Sequence, residues 1–350
     1  MKVSIGTNIK EGPWGGGNLF AINLKRYLIS RGHQVVHDLN SKDIDIILIT
    51  EPRKTSESSA FTHIDVLNYL NFVNNDALVL HRINECDERK GTNFVNKYLI
   101  EANKVADYTV FVSTWLKNLY LQQGISEKNK KVILAGADKN IFNAKEKSVW
   151  NSNKKLKLVT HHWGANKNKG FDVYEKLDYL IGHTSWKEMI EFTYIGNVPK
   201  NFKFKYSNHI EPLSGFELAS KIKKHHVYIT GSINEPSGNH HIEGAQCGLP
   251  VMYLDSGGVA EYCRDFGVKF NIDNIEAKLK FVQNNYTLLS ENMNNYPFNS
   301  DKMSREFLEL FQNMIQNRIS YKNQRILPKL SKIDKKIYFL SKYIKKLIPF

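Results

Sequence analysis

The chain has few features of secreted, disulfide-bonded or membrane-spanning proteins. Its 350 residues include three cysteines, Cys86, Cys247 and Cys263, and no C-x-x-C pair. This scarcity favours a reduced cytoplasmic protein over a disulfide framework. No hydrophobic run approaches the ~18 uninterrupted apolar residues of a membrane span. The opening MKVSIGT lacks the apolar segment of a secretory signal, so we expect a cytoplasmic location.

Size and composition indicate a globular protein with two domains. Apolar residues make up 41% of the chain and aromatic residues 12%. A single core rarely grows beyond roughly 250–300 residues, so two cores are expected here. The net charge of +14 is uneven, because ten Lys or Arg stand against Asp334 alone in residues 318–350. The positive charge is therefore concentrated in the tail.

Strand-like and helix-like segments alternate along most of the chain. Buried strands that alternate with helices form parallel sheets covered on both faces, and two such sheets are expected on either side of a polar linker near residue 150. Ligands of such sheets bind beyond the carboxyl ends of the strands. The predicted strands are Lys2–Ile5, Gln34–Val36, Asp45–Ile49, Ala77–Leu80, Tyr108–Val112, Lys131–Leu134, Leu156–Thr160, Phe192–Ile195, Val227–Thr230 and Val251–Leu254. The predicted helices include one capped by Asn18 and ended by Gly32, one from Asn274 to Asn284 and one from Asp301 to Gln316.

The segment from Glu235 to Glu261 carries the clearest sign of chemistry. It reads EPSGNHHIEGAQCGLPVMYLDSGGVAE and follows a strand-like run. The eight-residue separation of Glu235 and Glu243 predicts one carboxylate on a loop and the other on the next helix. Gly257-Gly258 then opens a further helix, where bare amides can face an anion. Carboxylates beside an anion seat suit a sugar attached to a phosphate. Without the surrounding motifs, a loop residue and a solvated helix face would be the better interpretation of the two glutamates.

Together with other segments, this stretch resembles the family 4 glycosyltransferases, which are retaining, nucleotide-sugar-dependent enzymes of the GT-B fold. The two glutamates, the GLPV segment and Gly257-Gly258 with Glu261 resemble the family's C-terminal signature. The remaining matches are the glycine-rich acceptor-side loop Gly15-Gly16-Gly17, Val112-Ser113, Val132 to Asp138 with Ala135 in the family's asparagine place, Phe142, and Lys169-Gly170.

The resemblance touches most of residues 1–317 and implies an α/β architecture of two Rossmann-like domains whose parallel sheets face a central cleft. Residues 1–150 would form the acceptor-side domain. Residues 151–317 would form the nucleotide-sugar domain, with residues 301–316 as its closing helix. Residues 318–350 lie outside the resemblance and would form a basic amphipathic tail with a C-terminal helix.

The resemblance also assigns roles to single residues. Lys169 would contact the donor diphosphate, Glu235 would bind the transferred sugar, and Glu243 would accept hydrogen bonds from ribose hydroxyls. His81, at the end of the fourth strand, sits where the family often has a histidine near the reacting carbon, although a histidine satisfied at a strand end is the alternative. The implied catalytic residues are His81, Lys169 and Glu235, and the implied donor-binding residues are Gly164, Lys167, Lys169, Gly238, Glu243, Gly257, Gly258 and Glu261. No cofactor and no metal are expected.

One position departs from the family pattern. Family members commonly carry an arginine five positions before the lysine, and this chain has Gly164 there. Lys167, His161, His162 or Arg82 could supply the missing positive charge. The departure keeps open a second hypothesis, a catalytically weak sugar-nucleotide-binding partner in a glycosylation complex.

Three other classes of protein are disfavoured. Adjacent histidines in a strand point to opposite faces, so His161-His162, His225-His226 and His240-His241 make poor joint metal ligands. Gly15-Gly16-Gly17 lacks the G-x-G-x-x-G spacing of a dinucleotide-binding dehydrogenase. A sugar-nucleotide epimerase shares the fold, but the Glu235/Glu243 pattern argues against it.

The tail combines apolar periodicity with positive charge. Ile333, Ile337, Leu340, Ile344 and Leu347 are spaced four and three residues apart and form one helical stripe bordered by lysines. Residues 329–348 therefore suit an anionic membrane surface, and a helix packed on its own domain is the alternative. Nucleic acid is disfavoured, because no nucleic-acid module accompanies the tail.

The expected function is retaining transfer of a hexose-type sugar from a nucleotide-sugar donor to a hydroxyl acceptor, in polysaccharide, glycan or glycolipid assembly. The acceptor would be a lipid-linked or surface glycan if the tail binds the inner membrane face.

Overall fold

A computed structural model of the chain describes residues 1–12, 14–328 and 330–347 and contains two six-stranded sheets whose strand pairs are all parallel. The first has the order β2-β1-β3-β4-β5-β6 and the second the order β12-β11-β10-β7-β8-β9. The strands of the first sheet are β1 (Lys2–Ile5), β2 (Gln34–Val36), β3 (Ile46–Ile49), β4 (Leu78–Ile83), β5 (Tyr108–Phe111) and β6 (Lys130–Val132). Those of the second are β7 (Leu156–His162), β8 (Ile190–Gly196), β9 (Asn208–Ile210), β10 (Val227–Thr230), β11 (Val251–Leu254) and β12 (Gly267–Phe270).

Helices form most of the connections between strands, as is usual for parallel pairing, while loops join β2 to β3 and β8 to β9. In the first half the helices are α1 (Gly16–Ser30), α2 (His63–Phe72), α3 (Asp87–Lys90), α4 (Val95–Asn103) and α5 (Thr114–Gln122). In the second half they are α6 (Phe171–His183), α7 (Gly215–Ile222), α8 (Asn239–Gln246), α9 (Val259–Cys263), α10 (Ile275–Asn284) and α11 (Tyr286–Asn292). The chain then continues through α12 (Ser300–Gln316), α13 (Arg318–Gln324) and α14 (Lys332–Leu347). Within the described ranges, none of these helices combines the length and the apolar content needed to cross a bilayer.

Each sheet has its own hydrophobic core, and one late helix joins the two halves. In the second half, Leu158, Phe192 and Leu279 are buried in one cluster. In the first half, α1 and α12 pack side by side over the sheet, where Phe20 and Phe307 meet with ring centroids 5.1 Å apart. Burying such side chains stabilises the fold by roughly 1.5–3 kcal/mol each. The predicted closing helix therefore returns from the second sheet to the core of the first.

The structure confirms the predicted fold class and most of its elements. Strands Gln34–Val36, Val227–Thr230 and Val251–Leu254 have the predicted bounds. Strands β9 and β12 were not predicted, because they are the short, partly exposed edge strands of the second sheet and carry a weak hydrophobic pattern. Helix α1 begins at Gly16, two residues before the predicted cap Asn18. The Asn18 side chain instead bonds both the amide and the carbonyl of Lys10, at 2.9 and 2.8 Å.

Candidate active site

A cleft of about 530 Å³ lies between the two sheets, beyond the carboxyl ends of their strands. We call its two sides the N-terminal wall and the C-terminal wall. The N-terminal wall includes Thr7, Gly15, Gly16, Gly17, Asn23, Arg26, Arg82, Asn84, Glu85, Arg89, Lys90 and Asp138, and the C-terminal wall includes His161, His162, Gly164, Lys169, Glu235, Gly238, Asn239, His240 and Glu243. Most of the predicted site residues thus meet in one place, although they lie far apart in sequence.

Two cations from different walls share one carboxylate oxygen. Lys169 Nζ lies 3.1 Å from Glu235 Oε2, and Arg89 Nε lies 3.1 Å from the same atom. Lys169 ends a 3-10 turn that follows β7, and Glu235 lies on the loop after β10. Arg89 belongs to α3 of the N-terminal wall, and Asn168 holds that segment by donating to the Arg89 carbonyl at 3.1 Å.

The electrostatics of this triad leave an excess of positive charge. Burial favours the neutral form of Glu235, but Lys169 and Arg89 outweigh that effect and lower its pKa to about 2. Burial and the neighbouring Arg89 lower the pKa of Lys169, while Glu235 opposes that shift. One carboxylate facing two cations makes this part of the cleft attractive to an anion.

The second predicted glutamate is held by a histidine of β7. Glu243, on α8, pairs through Oε2 with His161 Nε2 at 2.8 Å. The Tyr228 hydroxyl lies 3.1 Å from the other ring nitrogen of His161, which fixes the ring. Among the described residues, only Oε2 of Glu243 has a partner, so Oε1 can accept a hydrogen bond from a ligand hydroxyl.

The amino end of α8 faces the glycine-rich loop of the opposite wall. Gly238 precedes α8 with φ 77°, and a Cβ there would lie 2.6 Å from the His241 ring and 2.9 Å from Glu235 Cγ. A Cβ on Gly16 would lie 2.9 Å from Asn239 Oδ1. The positive φ and these contacts restrict position 238 to glycine, whereas a Cβ at position 16 would meet only the end of the Asn239 side chain. The loop from Gly15 to Gly17 thus lies against the end of a helix whose amides can bind an anion.

The predicted segment Gly257 to Glu261 lies behind the cleft. The Gly258 amide donates to the Glu235 carbonyl at 2.8 Å, so it does not face a ligand in this structure. Glu261 accepts from the amides of Thr114 at 2.8 Å and Trp115 at 3.0 Å, at the amino end of α5. The sequence predicted donor contacts for these residues, and the structure instead places them at the junction of the two halves.

Three further predicted residues differ in position. His81 is fully buried, bonds Asn103 Oδ1 through Nδ1 at 3.0 Å and is not among the residues that line the cleft. Burial lowers its pKa to about 4. Lys167 points to solvent, 4.0 Å from Asp172. Gly164 lines the cleft, and a Cβ there would have only ordinary contacts, 3.6 Å from Lys169 Cε and 3.7 Å from Asn166 Nδ2.

Arg89 was missed in the sequence. It stands in the charged run DERK, which is typical of a solvated turn, and its partner Glu235 is 146 residues away. Its position could have indicated a role, because Arg89 follows the carboxyl end of β4 and parallel sheets bind ligands beyond the carboxyl ends of their strands.

Three further histidines, His162, His240 and His241, are buried in or behind the C-terminal wall. The ring centroids of His162 and His240 lie 4.4 Å apart with the ring planes tilted by 54°, and the ring centroids of His240 and His241 lie 4.9 Å apart. Burial lowers the pKa of each of these three residues, so they are neutral at pH 7. In the part of the chain that the structure describes, no group of three or more His, Cys, Asp or Glu residues is arranged to hold a metal ion.

Comparison with solved structures shows that the fold is GT-B. A glycosyltransferase from Rickettsia africae matches with a TM-score of 0.64 at 15% identity, over 90% of this chain and 98% of that one. Anabaena Alr3699/HepE in complex with UDP-glucose matches with a TM-score of 0.65 at 12% identity, over 89% and 100%. The catalytic domain of Arabidopsis thaliana starch synthase IV, bound to ADP and acarbose, gives 0.69 at 13% identity, over 90% and 99%. No protein-family model and no curated protein matches the sequence.

Proposed function

We propose that the chain is a retaining glycosyltransferase of the family 4 type, which moves a hexose-type sugar from a nucleotide-sugar donor to a hydroxyl acceptor without a metal ion. The observation that carries this proposal is the convergence of Lys169 and Arg89 on one oxygen of Glu235 inside the cleft. A donor diphosphate would take the place of Glu235 as the partner of both cations. The released carboxylate would then be free to bind hydroxyls of the sugar.

The proposed reaction needs no further group from the protein. The bond between the sugar's anomeric carbon and the donor phosphate breaks, and a bond to the acceptor oxygen forms on the same face. The acceptor hydroxyl gives its proton to the departing phosphate. Lys169 and Arg89 stabilise the charge that grows on that phosphate, an effect that is strong in a site shielded from water.

The nucleoside would lie along the C-terminal wall. Glu243 has one oxygen fixed by His161 and the other available for ribose hydroxyls. Two of the similar structures bind UDP-glucose and ADP. Both ligands contain a nucleoside diphosphate, and we propose that this chain binds such a group as well. The position of Arg89 favours an enzyme over the catalytically weak binding partner, because it supplies a cation that Gly164 does not.

A binding screen tests the donor assignment. Thermal unfolding is followed with UDP-, GDP- and ADP-sugars, and a ligand at ~100 times its dissociation constant stabilises by about 2.7 kcal/mol. No response to any of them contradicts the proposal. Donor hydrolysis or sugar transfer then separates the two hypotheses, since a weak binding partner binds the donor and never turns it over.

We also propose that α14 attaches the protein to an anionic membrane and that the acceptor is lipid-linked or a surface glycan. Ile333, Ile337 and Leu340 are 69%, 60% and 59% exposed, while Tyr338 packs on Phe72 of α2 at 5.7 Å between ring centroids. One side of the helix is therefore anchored and its apolar stripe stays open beside lysines. The side chains of Ile344 and Leu347, Lys329 and the predicted end at residue 348 lie outside the described residues.

Vesicle binding tests this attachment. The full chain is expected to sediment with vesicles that contain anionic lipid and to stay in solution with neutral vesicles. Ile337→Asp places a charge in the stripe and is expected to abolish sedimentation, while Lys187→Ala, on the second domain, is the control. No sedimentation of the full chain with anionic vesicles would support simple packing of the helix, and equal binding by the full chain and by Ile337→Asp would show that the apolar stripe is not the membrane contact.

A further inference from the structure

Arg82 is a buried cation on the N-terminal wall. It is the fifth residue of β4, and only 4% of its surface is exposed. Its guanidinium stacks on the Phe20 ring, 3.9 Å from the ring centroid, and the residue lines the cleft. Stacking on an aromatic face orients the planar group and leaves its edge donors free for a ligand.

Arg82 differs from the other cations of the cleft in its partners. Arg26 pairs with Asp138 at 2.6 Å, Lys90 with Glu85 at 2.6 Å, and both Arg89 and Lys169 with Glu235. Arg82 forms no ion pair and no side-chain hydrogen bond with any residue that the structure describes.

No acidic side chain of the described residues neutralises Arg82. Burial lowers its pKa to about 10, which leaves the group charged at neutral pH. The acidic group that acts on it is the Tyr262 phenol. Burial raises the pKa of that phenol, and its hydroxyl already bonds Val112 and Ala135. A buried charge without a counterion is unfavourable, so a ligand anion would relieve a cost that the free protein carries.

Two amide side chains of the same wall also lack hydrogen-bond partners among the described residues. Asn23 lies on α1 three residues after Phe20 and therefore on the same helix face. Asn84 follows Arg82 by two residues and comes directly after the end of β4. Both line the cleft, and neither side chain has a hydrogen-bond partner among the described residues. A guanidinium with two amides offers more donors than one carboxylate can accept and suits the three oxygens of a phosphate group.

We propose that Arg82 anchors a second anion site, on the N-terminal wall, which binds a phosphate group carried by the acceptor. This proposal rests on the proposed function, since it takes the Lys169–Arg89 pair as the donor seat. The two seats use different cations, since Lys169 and Arg89 both pair with Glu235, whereas no ion pair joins Arg82 to any residue that the structure describes. The acceptor class is thereby narrowed to phosphorylated sugars or lipids.

The test uses inorganic phosphate as the probe. The full chain is first saturated with the nucleoside diphosphate found in the donor screen, and phosphate is then titrated by calorimetry at constant ionic strength. Arg82→Gln is expected to weaken phosphate binding by at least about tenfold. Arg26→Gln, a cleft arginine with its own carboxylate, is expected to change it less than about twofold. Phosphate binding by Arg82→Gln with wild-type affinity would overturn the proposal.

Other outcomes assign the site differently. If Arg82→Gln weakens the nucleoside diphosphate and leaves phosphate binding unchanged, Arg82 serves the donor and the acceptor site is refuted. If no nucleotide binds, the proposed function fails, and the titration in Lys169→Ala still reads the Arg82 site alone. Should Arg82→Gln not fold, Arg82→Lys keeps the charge without the planar fork, and wild-type phosphate affinity in a folded Arg82→Lys would also overturn the proposal.

Discussion

On the C-terminal wall of the cleft, Lys169 and His161 are held by Glu235 and Glu243 at 3.1 and 2.8 Å. On the N-terminal wall, Arg82 is as deeply buried and has no counterion among the described residues. Paired groups keep their geometry without a ligand, whereas an unpaired buried charge gains most when a ligand arrives. We infer that the C-terminal wall is preorganised and that the N-terminal wall is completed by its substrate. Arg89 is the exception, since it belongs to one wall and binds the other.

Lys169→Ala is expected to give the largest effect, because the proposal places Lys169 at the reacting phosphate. Donor turnover should fall by about 10²–10³-fold, as when one stabilising donor is removed from an active site. Initial rates of nucleotide release measure the loss. Lys187→Ala is the matched control, since Lys187 is 62% exposed and pairs only weakly with Glu188. Turnover in Lys169→Ala within tenfold of the wild type would remove this residue from the mechanism.

Arg89→Gln tests whether a cation from the opposite wall holds the donor. Affinity for a nucleoside diphosphate should fall by about 10–100-fold, the range for a hydrogen bond to a charged group. Adding Gly164→Arg to that variant should restore part of the affinity, because a side chain at Gly164 has room beside Lys169. Calorimetry with the diphosphate and with the bare nucleoside measures the difference.

Two results would count against this role of Arg89. Equal weakening of diphosphate and nucleoside would indicate a general disturbance of the cleft. Rescue by Gly164→Ala as effective as by Gly164→Arg would show that charge is not the cause.

How far the sequence predicts the site depends on the range of each interaction. Glu235, Glu243 and Lys169 were found because each stands at a fixed distance from a strand that periodicity reveals. Arg89 was not found, since its role depends on a contact between residues 146 positions apart. No pattern in a single sequence encodes how two domains face each other.

The face of a buried strand is a second limit. All six residues of β4 are buried, so its sequence shows no alternation that would tell one face from the other. The sequence predicted His81 as a catalytic residue and Arg82 only as one of several substitutes for the missing arginine, and the structure places Arg82 but not His81 at the cleft. The same limit applies to Gly257 and Gly258, whose spacing predicts a helix start but not what that start faces.

His241 is buried behind the C-terminal wall. Neither of its ring nitrogens has a hydrogen-bond partner among the described residues. Burial lowers its pKa to about 3. Below pH 6.5, the ordinary pKa of a histidine, residue 241 therefore binds a proton in the unfolded chain but not in the folded chain. The free energy of unfolding therefore falls as the pH falls. His241→Leu removes this loss and should stabilise the protein by about 1.4 kcal/mol more at pH 5.5 than at pH 7.5.

Urea unfolding at the two pH values measures the effect of His241→Leu. Glu235 does not affect this comparison. Its pKa is lowered to about 2, so its ionised form stabilises the fold fully above pH 4.5, the ordinary pKa of a glutamate, and that stabilisation is lost only at lower pH. An equal difference in stability at both pH values would mean that His241 is not the group that titrates.

Glu261→Ala has the smallest expected effect and tests whether Glu261 stabilises α5 or binds the donor. Its carboxylate accepts from the amides of Thr114 and Trp115, so it acts as a cap for α5 across the junction of the two halves. Loss of a cap costs about 1 kcal/mol, and affinity for a nucleoside diphosphate should stay unchanged because Glu261 does not line the cleft. Glu309→Ala, on the exposed face of α12, is the control for stability. If Glu261→Ala instead weakens the nucleotide and leaves stability alone, the donor contact predicted from the sequence is correct, and the C-terminal wall extends further than the cleft of this structure.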